Sequence, residues 1–236
     1  MNLVLLFEDD FVNKDQVRLT DRRMIHINTI HKANIGDSLS VGLINDTTGV
    51  GKITQIDETS VTMDIVLGSP PPSPLPLTLI LALPRPNMLK RSLQTCATMG
   101  VKKLILLNSE RVQKSYWQTP QLTFANIQEN LVLGLEQAKD TVLPQIVFEK
   151  NFKHFIEDRL PTLCKNSLSL VAHPNSNKAC PSELTQETTL LIGPEGGFID
   201  KEIEQLNRAG CQNIHIGKRI LRVETAVPVL LAKLFY

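Results

Sequence analysis

The pattern of apolar and polar positions divides this chain into two parts. In the first part, residues 3–7, 50–56 and 60–67 are short segments rich in apolar and β-branched side chains, with partial alternation in the last two. This pattern is typical of half-buried strands. Turn signals at residues 35–37 and 46–49 separate the segments. The first part is therefore predicted to be a small β-barrel over residues 1–68.

From residue 77 onward, apolar runs alternate with amphipathic stretches. The unbroken apolar run at 77–83 predicts a strand that is buried on both faces. Further strands are predicted at 101–107, 143–148, 168–172, 188–192 and 214–216. Helices are predicted from a cap at Asn87 to before Gly100, over 123–139, over 151–160, from a cap at Asp200 to Gly210, and over 225–235. Strands and helices in turn indicate an α/β domain with a mainly parallel sheet over residues 77–236.

A proline-rich segment at residues 69–76 separates the two parts. Five of its eight residues are proline. Such a run can form neither a central strand nor a helix interior. We therefore expect a stiff, extended linker between two domains.

Charge and composition narrow the possible functions. Residues 1–68 hold six Lys/Arg and ten Asp/Glu, a net charge of −4, whereas the rest of the chain carries +5. A polyanionic partner should therefore prefer the second part. The four cysteines form no Cys-x-x-Cys pair, which argues against a disulfide framework or a structural zinc site. No apolar run approaches the roughly 18 residues that a membrane span needs, and the start lacks a signal-peptide pattern, so we expect a cytoplasmic protein without a metal or a membrane partner.

A glycine-rich segment follows the strand predicted at 188–192. It reads Gly-Pro-Glu-Gly-Gly-Phe over residues 193–198. Glycine lets a ligand approach the backbone, and parallel α/β sheets bind ligands at the carboxyl ends of their strands. The fingerprints of nucleoside triphosphate and dinucleotide loops are absent. The segment is therefore either a site for a ligand with little negative charge or a tight turn between strand and helix.

A second segment reads Ile-Gly-Lys-Arg-Ile-Leu-Arg-Val-Glu-Thr-Ala over residues 216–226. Because the loop is short and lies between an apolar strand and an apolar helix, Arg222 and Glu224 are expected to be close together. The alternative is a solvated basic loop in which Thr225 caps the following helix.

Together, the two segments closely resemble the C-terminal signature of the ribosomal RNA small subunit methyltransferase E family. This SPOUT family methylates N3 of a uridine in bacterial 16S ribosomal RNA. The resemblance implies a SPOUT-type α/β domain with a trefoil knot, which is a rare exception to the rule that chains avoid knots. It also implies a PUA-like RNA-binding β-barrel before that domain, a homodimer with the site near the subunit interface, and S-adenosylmethionine as methyl donor.

The resemblance also implies roles for individual residues. Arg222 is expected to stabilise the anion that develops on the base, or a nearby phosphate. Glu224 is expected to orient Arg222 or to accept a hydrogen bond from the substrate. In the alternative interpretation, the two side chains only pair and shape the loop. The donor is expected to contact Ala172, Ile192, Gly193, Glu195, Gly196, Gly197, Ile216, Gly217, Ile220, Leu221, Thr225 and Ala226.

Earlier parts of the chain depart from the family pattern. Arg85 replaces the usual lysine, Met99 stands where a Glu-Leu pair precedes the glycine, and Asp140 replaces an arginine. These positions are expected to contact RNA. The resemblance itself implies 16S ribosomal RNA or the small ribosomal subunit as the partner. Two alternatives stay open: a SPOUT enzyme for another nucleotide, such as a ribose 2′-OH in transfer RNA, and a non-catalytic RNA-binding or ribosome-assembly protein.

Overall fold

The computed structural model describes residues 1–236, which form two compact units. The first unit comprises Met1–Ser73 and Val132–Leu143, and the second comprises Pro74–Leu131 and Pro144–Tyr236. No helix in the chain combines the length and the hydropathy that crossing a bilayer requires.

The first unit contains a six-stranded sheet. Its strands are β1 (Val4–Leu6), β2 (Phe11–Asn13), β3 (Gln16–Leu19), β4 (Ser38–Leu43), β5 (Thr48–Ile56) and β6 (Val61–Ser69), in the order β1-β4-β5-β6-β3-β2. Only β1 and β4 pair in parallel; the other neighbours are antiparallel. A short helix α1 (Arg22–His26) continues into a π-helical turn (Ile27–His31). The strands predicted at 3–7, 50–56 and 60–67 are confirmed as β1, β5 and β6.

The second unit contains a six-stranded sheet in which every pair of neighbours is parallel. Its strands are β7 (Leu77–Ala82), β8 (Lys103–Leu107), β9 (Gln145–Glu149), β10 (Leu168–Ala172), β11 (Thr188–Ile192) and β12 (Gln212–Ile214), in the order β12-β10-β11-β7-β8-β9. Every residue of β7 and of β11 is buried. The predicted α/β architecture with a parallel sheet is therefore confirmed.

Helices follow the strands of this sheet. They are α2 (Pro86–Thr98), α3 (Phe124–Ala138), α4 (Phe152–His154), a π-helical turn (Phe155–Arg159), α5 (Leu160–Cys164), α6 (Asp200–Arg208) and α7 (Val223–Phe235). Helix α7 buries Val227, Leu230, Leu231 and Leu234 against the unit, while Val229 stays 39% exposed. The apolar face that the sequence predicts for this helix is thus mostly covered within one chain.

Two predicted helix caps are wrong. Helix α2 begins at Pro86, with Arg85 as its N-cap. Proline suits the first helical position because its φ angle is already helical and because the N–H that it lacks would be unpaired there. Asn87 is therefore inside the helix. Helix α6 begins at Asp200 itself, and the Glu202 carboxylate accepts the N–H of Ile199 at 2.9 Å in place of an Asp200 cap.

Two predicted boundaries near the C-terminus are also shifted. Strand β12 ends at Ile214 instead of continuing to residue 216, because Ile214 pairs with Ala172, the last residue of β10. Helix α7 begins at Val223, two residues earlier than predicted, and the carbonyl of Arg222 accepts the N–H groups of Thr225 and Ala226. Arg222, not Thr225, is therefore the capping residue.

Candidate functional site

The loops that follow β10, β11 and β12 line one cavity of about 440 Å³. This volume is within the range of roughly 300–1000 Å³ that small-molecule sites occupy. The cavity lies at the carboxyl ends of parallel strands, where α/β sheets bind ligands. Most of the predicted donor contacts line it: Ala172, Ile192, Gly193, Glu195, Gly196, Gly197, Ile216, Gly217, Ile220, Leu221 and Ala226. The structure does not bring Thr225 to the cavity wall.

The loop after β11 depends on its glycines. A Cβ on Gly193 would lie 3.0 Å from the main-chain nitrogen of Phe198. Because that nitrogen belongs to the backbone of the turn, it cannot easily move away. Gly197 has φ +71°, a left-handed conformation that costs other residues energy, and its N–H donates to the carbonyl of Pro194 at 2.7 Å. The segment is therefore a tight turn, as one of the two interpretations predicted, and it also lines a cavity.

The loop after β12 forms another wall of the cavity. Gly217 has φ +139°, and its N–H donates to Nδ1 of His215 at 3.0 Å. Ile220 lines the cavity but is 82% exposed, so it closes the site incompletely within one chain. This side of the cavity is therefore open to solvent in a single chain.

Two charged side chains that sequence reasoning missed support the glycine loop. Arg111, in the loop after β8, donates from Nη1 to the carbonyl of Gly196. Glu202 of α6 is only 4% exposed, and its two oxygens accept the N–H groups of Glu110 and Ile199, each at 2.9 Å. The loop after β8 is thus attached to the later part of the glycine loop at Gly196 and, through Glu202, to Ile199 before α6.

A second cavity of about 780 Å³ adjoins the first, and Glu195 lines both. Its lining includes the two predicted catalytic residues, Arg222 and Glu224, together with Arg85, Arg91 and Tyr116. Nη1 of Arg222 lies 4.0 Å from Oε1 of Glu224, and the side chains are 85% and 18% exposed. A pair this long and this exposed contributes little to stability. Arg222 is therefore available to contact a ligand.

Several cavity residues were not predicted from the sequence. His173 directly follows β10, and His215 directly follows β12, so the rule that parallel sheets bind ligands at carboxyl ends could have found both. Arg111, Asn175 and Asp200 carry no comparable local signal. No three His, Cys, Asp or Glu side chains lie together in a way that could hold a metal ion.

Comparison with known proteins gives consistent matches. The family model for the RNA methyltransferase domain matches residues 71–234. The chain is 26% identical over 230 residues to ribosomal RNA small subunit methyltransferase E 1 of Borreliella burgdorferi, covering 96% of this chain and 94% of that protein. It is also 26% identical over 232 residues to the Treponema pallidum methyltransferase E, covering 96% of this chain and 87% of that protein.

Solved structures share the fold over nearly the whole chain. The Neisseria gonorrhoeae ribosomal RNA small subunit methyltransferase E, solved with bound S-adenosyl methionine, superposes with a TM-score of 0.74 at 21% identity, covering 98% of this chain and 96% of that one. A protein of Legionella pneumophila, assigned as a methyltransferase and solved with the bound cofactor SAM, superposes with a TM-score of 0.77 at 21% identity over the same shares. At these identities, the superpositions establish the common fold.

Proposed function

The chain belongs to the RNA methyltransferase domain family, in the group that includes the ribosomal RNA small subunit methyltransferase E proteins, and we propose that it transfers the methyl group of S-adenosylmethionine to N3 of a uridine in 16S ribosomal RNA. The observation that carries this proposal is the adjacency of two cavities. One is built from the glycine loop and the loop after β12, and the other contains Arg222 and Glu224.

The first cavity fits the donor. Apolar side chains of Ile192, Leu221 and Leu230 suit a purine ring, while main-chain groups at the glycines offer hydrogen bonds. A Cβ at Gly197 or at Gly217 would meet no other atom within 4 Å, so the space beside these two glycines is open to a ligand. S-adenosylmethionine supplies, when bound, a methyl group already activated by its sulfonium. The residues of the cavity then have to hold donor and acceptor in line.

The second cavity is proposed to receive the acceptor base. The N3–H of uracil is weakly acidic, so sharing its proton raises the nucleophilicity of N3. Glu224 is mostly buried, which suits it to accept a hydrogen bond from the base or to orient Arg222. The Arg222 guanidinium stabilises negative charge that develops on the base, or a neighbouring phosphate.

We propose further features that the family resemblance implies. These are a trefoil knot in the segment that holds the three cavity loops, a PUA-like barrel over residues 1–68 that binds RNA, and a cytoplasmic homodimer. Two apolar side chains support the dimer, because Ile220 is 82% exposed and Val229 is 39% exposed, and a partner subunit would cover them. Sedimentation equilibrium tests the dimer, because a monomeric mass at micromolar concentration would contradict it.

The experiment that tests the function uses the purified chain, isotope-labelled S-adenosylmethionine and small ribosomal subunits that lack this modification. Nuclease digestion followed by mass spectrometry should identify N3-methyluridine. A label found on a ribose 2′-OH, or on transfer RNA, would replace the proposed acceptor with another RNA nucleotide. The absence of donor binding in calorimetry would instead favour a non-catalytic RNA-binding or ribosome-assembly protein.

A further inference from the structure

The second cavity contains side chains that donor binding and the Arg222–Glu224 pair do not use. Its lining includes an aromatic residue, Tyr116, and the cations Arg85 and Arg91, together with apolar Met88 and Pro86. An aromatic ring beside arginines is the combination with which proteins hold a ribonucleotide, since the ring stacks on the base and the guanidinium binds the phosphate. The lining of this cavity therefore suits a nucleotide as well as access to the donor.

The backbone of Tyr116 is held in place, but its side chain makes no hydrogen bond within the fold. It is half-buried in a 3₁₀ turn (Lys114–Gln118), and its N–H donates to the carbonyl of Gln113 at 2.9 Å. Its hydroxyl has no hydrogen-bond partner, whereas that of Tyr236 donates to the carbonyl of Met99 at 3.3 Å. The ring and hydroxyl of Tyr116 are thus both available to a ligand.

The residue after Tyr116 makes the turn rigid. Nε1 of Trp117 donates to Oδ1 of Asn108 at 2.8 Å, and its ring meets that of Phe148 edge to face with centroids 6.3 Å apart. A stacking residue that is fixed before binding loses little conformational entropy when the ligand arrives. The anchored Trp117 therefore favours a binding role for its neighbour.

The charges of the cavity match the other parts of a nucleotide. Arg91 is exposed on α2 and has no carboxylate within ion-pair distance, so its guanidinium is free for a phosphate. Glu195 and Glu224 can accept hydrogen bonds from a base that carries an N–H. Uracil presents such a donor at N3.

We propose that this cavity binds the acceptor nucleotide, with the base stacked on Tyr116 and its phosphate on Arg91. The inference rests on the proposed function, because it assigns the cavity to the acceptor and not to the donor. Tyr116 then contacts the substrate directly, and Arg91 contributes to its affinity.

The test uses the only tryptophan of the chain, Trp117, as a fluorescent reporter next to Tyr116. Titration with uridine 5′-monophosphate, and with a short oligouridylate, should quench its emission saturably. Tyr116→Leu should weaken binding about tenfold, since it removes a base-stacking contact. Arg91→Ala should weaken binding of the monophosphate several-fold but leave the affinity for uridine, which has no phosphate and is titrated in parallel, unaffected. Tyr116→Phe, which keeps the ring, and Lys90→Ala, the neighbouring exposed cation outside the cavity, should change little.

The inference is overturned if neither ligand quenches saturably, if Tyr116→Leu binds as tightly as the parent chain, or if inorganic phosphate competes as well as the nucleotide. Circular dichroism and urea unfolding of each variant show that the fold is retained. These titrations need neither donor nor methyl transfer. Nucleotide binding without methylation of ribosomal RNA would therefore contradict only the proposed function, and methylation without nucleotide binding at Tyr116 would contradict only this inference.

Discussion

An oxygen of Glu195, Oε1, accepts a hydrogen bond from the main-chain N–H of Arg85 at 2.9 Å. The contact joins the glycine loop after β11 to the loop after β7, its neighbour in the sheet. Glu195 lines both cavities, and its side chain is 25% exposed. The residue therefore fixes the position of the wall that the proposed donor and acceptor sites share.

This contact predicts different results for two substitutions of Glu195. Glu195→Ala removes the acceptor and should weaken S-adenosylmethionine binding about three- to tenfold, since a hydrogen bond to a charged group contributes roughly 1.5 kcal/mol or less at a partly exposed position. Glu195→Gln keeps an oxygen acceptor and should stay within about twofold of the parent chain. Isothermal calorimetry measures both constants. Equal losses in the two variants would assign the effect to the charge and not to the hydrogen bond.

Gly197 tests the conformational requirement of the same loop. Its φ of +71° is a left-handed conformation, so Gly197→Ala should destabilise the chain by about 1 kcal/mol in urea unfolding and also weaken donor binding. Gly197→Asn should cost less, because asparagine tolerates this conformation better. Gly68→Ala serves as a control, since Gly68 has no positive φ and a Cβ there would meet nothing. A loss in the control equal to that in Gly197→Ala would remove the conformational explanation.

The sequence predicted those parts of the fold and site that depend on local signals. The apolar run that became β7 is buried over its whole length, and the glycine loop and the loop after β12 do line one cavity. Arg111 and Glu202 were missed, because each acts through a contact with a loop distant in sequence. Tyr116 was missed because only the fold places its turn in the wall of the second cavity. The start of α2 was missed because asparagine is a common N-cap residue, which favoured Asn87, whereas the helix begins one residue earlier with a proline in its first position.

The ion pair between Arg22 and Glu136 predicts a pH-dependent stability. Glu136 is 2% exposed, and its oxygens lie 2.9 and 3.0 Å from the Arg22 guanidinium. Burial nevertheless raises the pKa of Glu136 above its ordinary 4.5. A carboxyl whose pKa is raised in the folded state binds its proton more tightly there, so its contribution to stability falls as pH rises from about 4.5 to the raised value.

Arg22→Ala leaves this buried carboxylate without its partner and should raise the pKa further. We expect a loss of about 1–3 kcal/mol at about pH 7.5, discounted because Arg22 is partly exposed, and a smaller loss at about pH 4.5. Urea unfolding at both pH values measures the difference. Adding Glu136→Gln should recover part of the loss. Arg18→Ala removes a cation of the same unit whose side chain hydrogen-bonds to the Ser60 hydroxyl, and it should show no pH-dependent loss. A loss that is the same at both pH values would contradict this explanation.

The thiols of Cys164 and Cys211 predict selective alkylation. Their sulfur atoms lie 3.8 Å apart, and the hydrogen bond from Cys211 lowers the pKa of Cys164 below the ordinary thiol value. The same contact raises the pKa of Cys211. Because the thiolate is the reactive form, Cys164 should react with iodoacetamide at neutral pH, with a midpoint below the ordinary thiol value of about 8.5.

Two further cysteines serve as internal controls for this alkylation. Burial raises the pKa of Cys180 to about 11 and that of Cys96 to about 12, so both should stay unmodified. Cys211→Ala should move the midpoint of Cys164 toward the ordinary value of about 8.5 and slow the reaction at neutral pH. Peptide mass spectrometry resolves the sites. A midpoint that Cys211→Ala leaves unchanged would exclude the hydrogen bond as the cause.

Arg222 gives the most direct test of the proposed acceptor site. Its side chain is 85% exposed and lies 4.0 Å from Glu224, so it contributes little to the fold. Arg222→Ala should therefore leave the unfolding midpoint and the donor affinity unchanged while lowering turnover by about 100-fold or more, as removal of one group that stabilises developing charge does. Arg222→Lys keeps the charge but loses the planar guanidinium, so it should recover only part of the rate. Arg208→Ala, which removes an exposed arginine on α6 outside both cavities, should retain full activity. Near-normal turnover in Arg222→Ala would refute the catalytic assignment, and a parallel loss of donor binding would move Arg222 to the donor site.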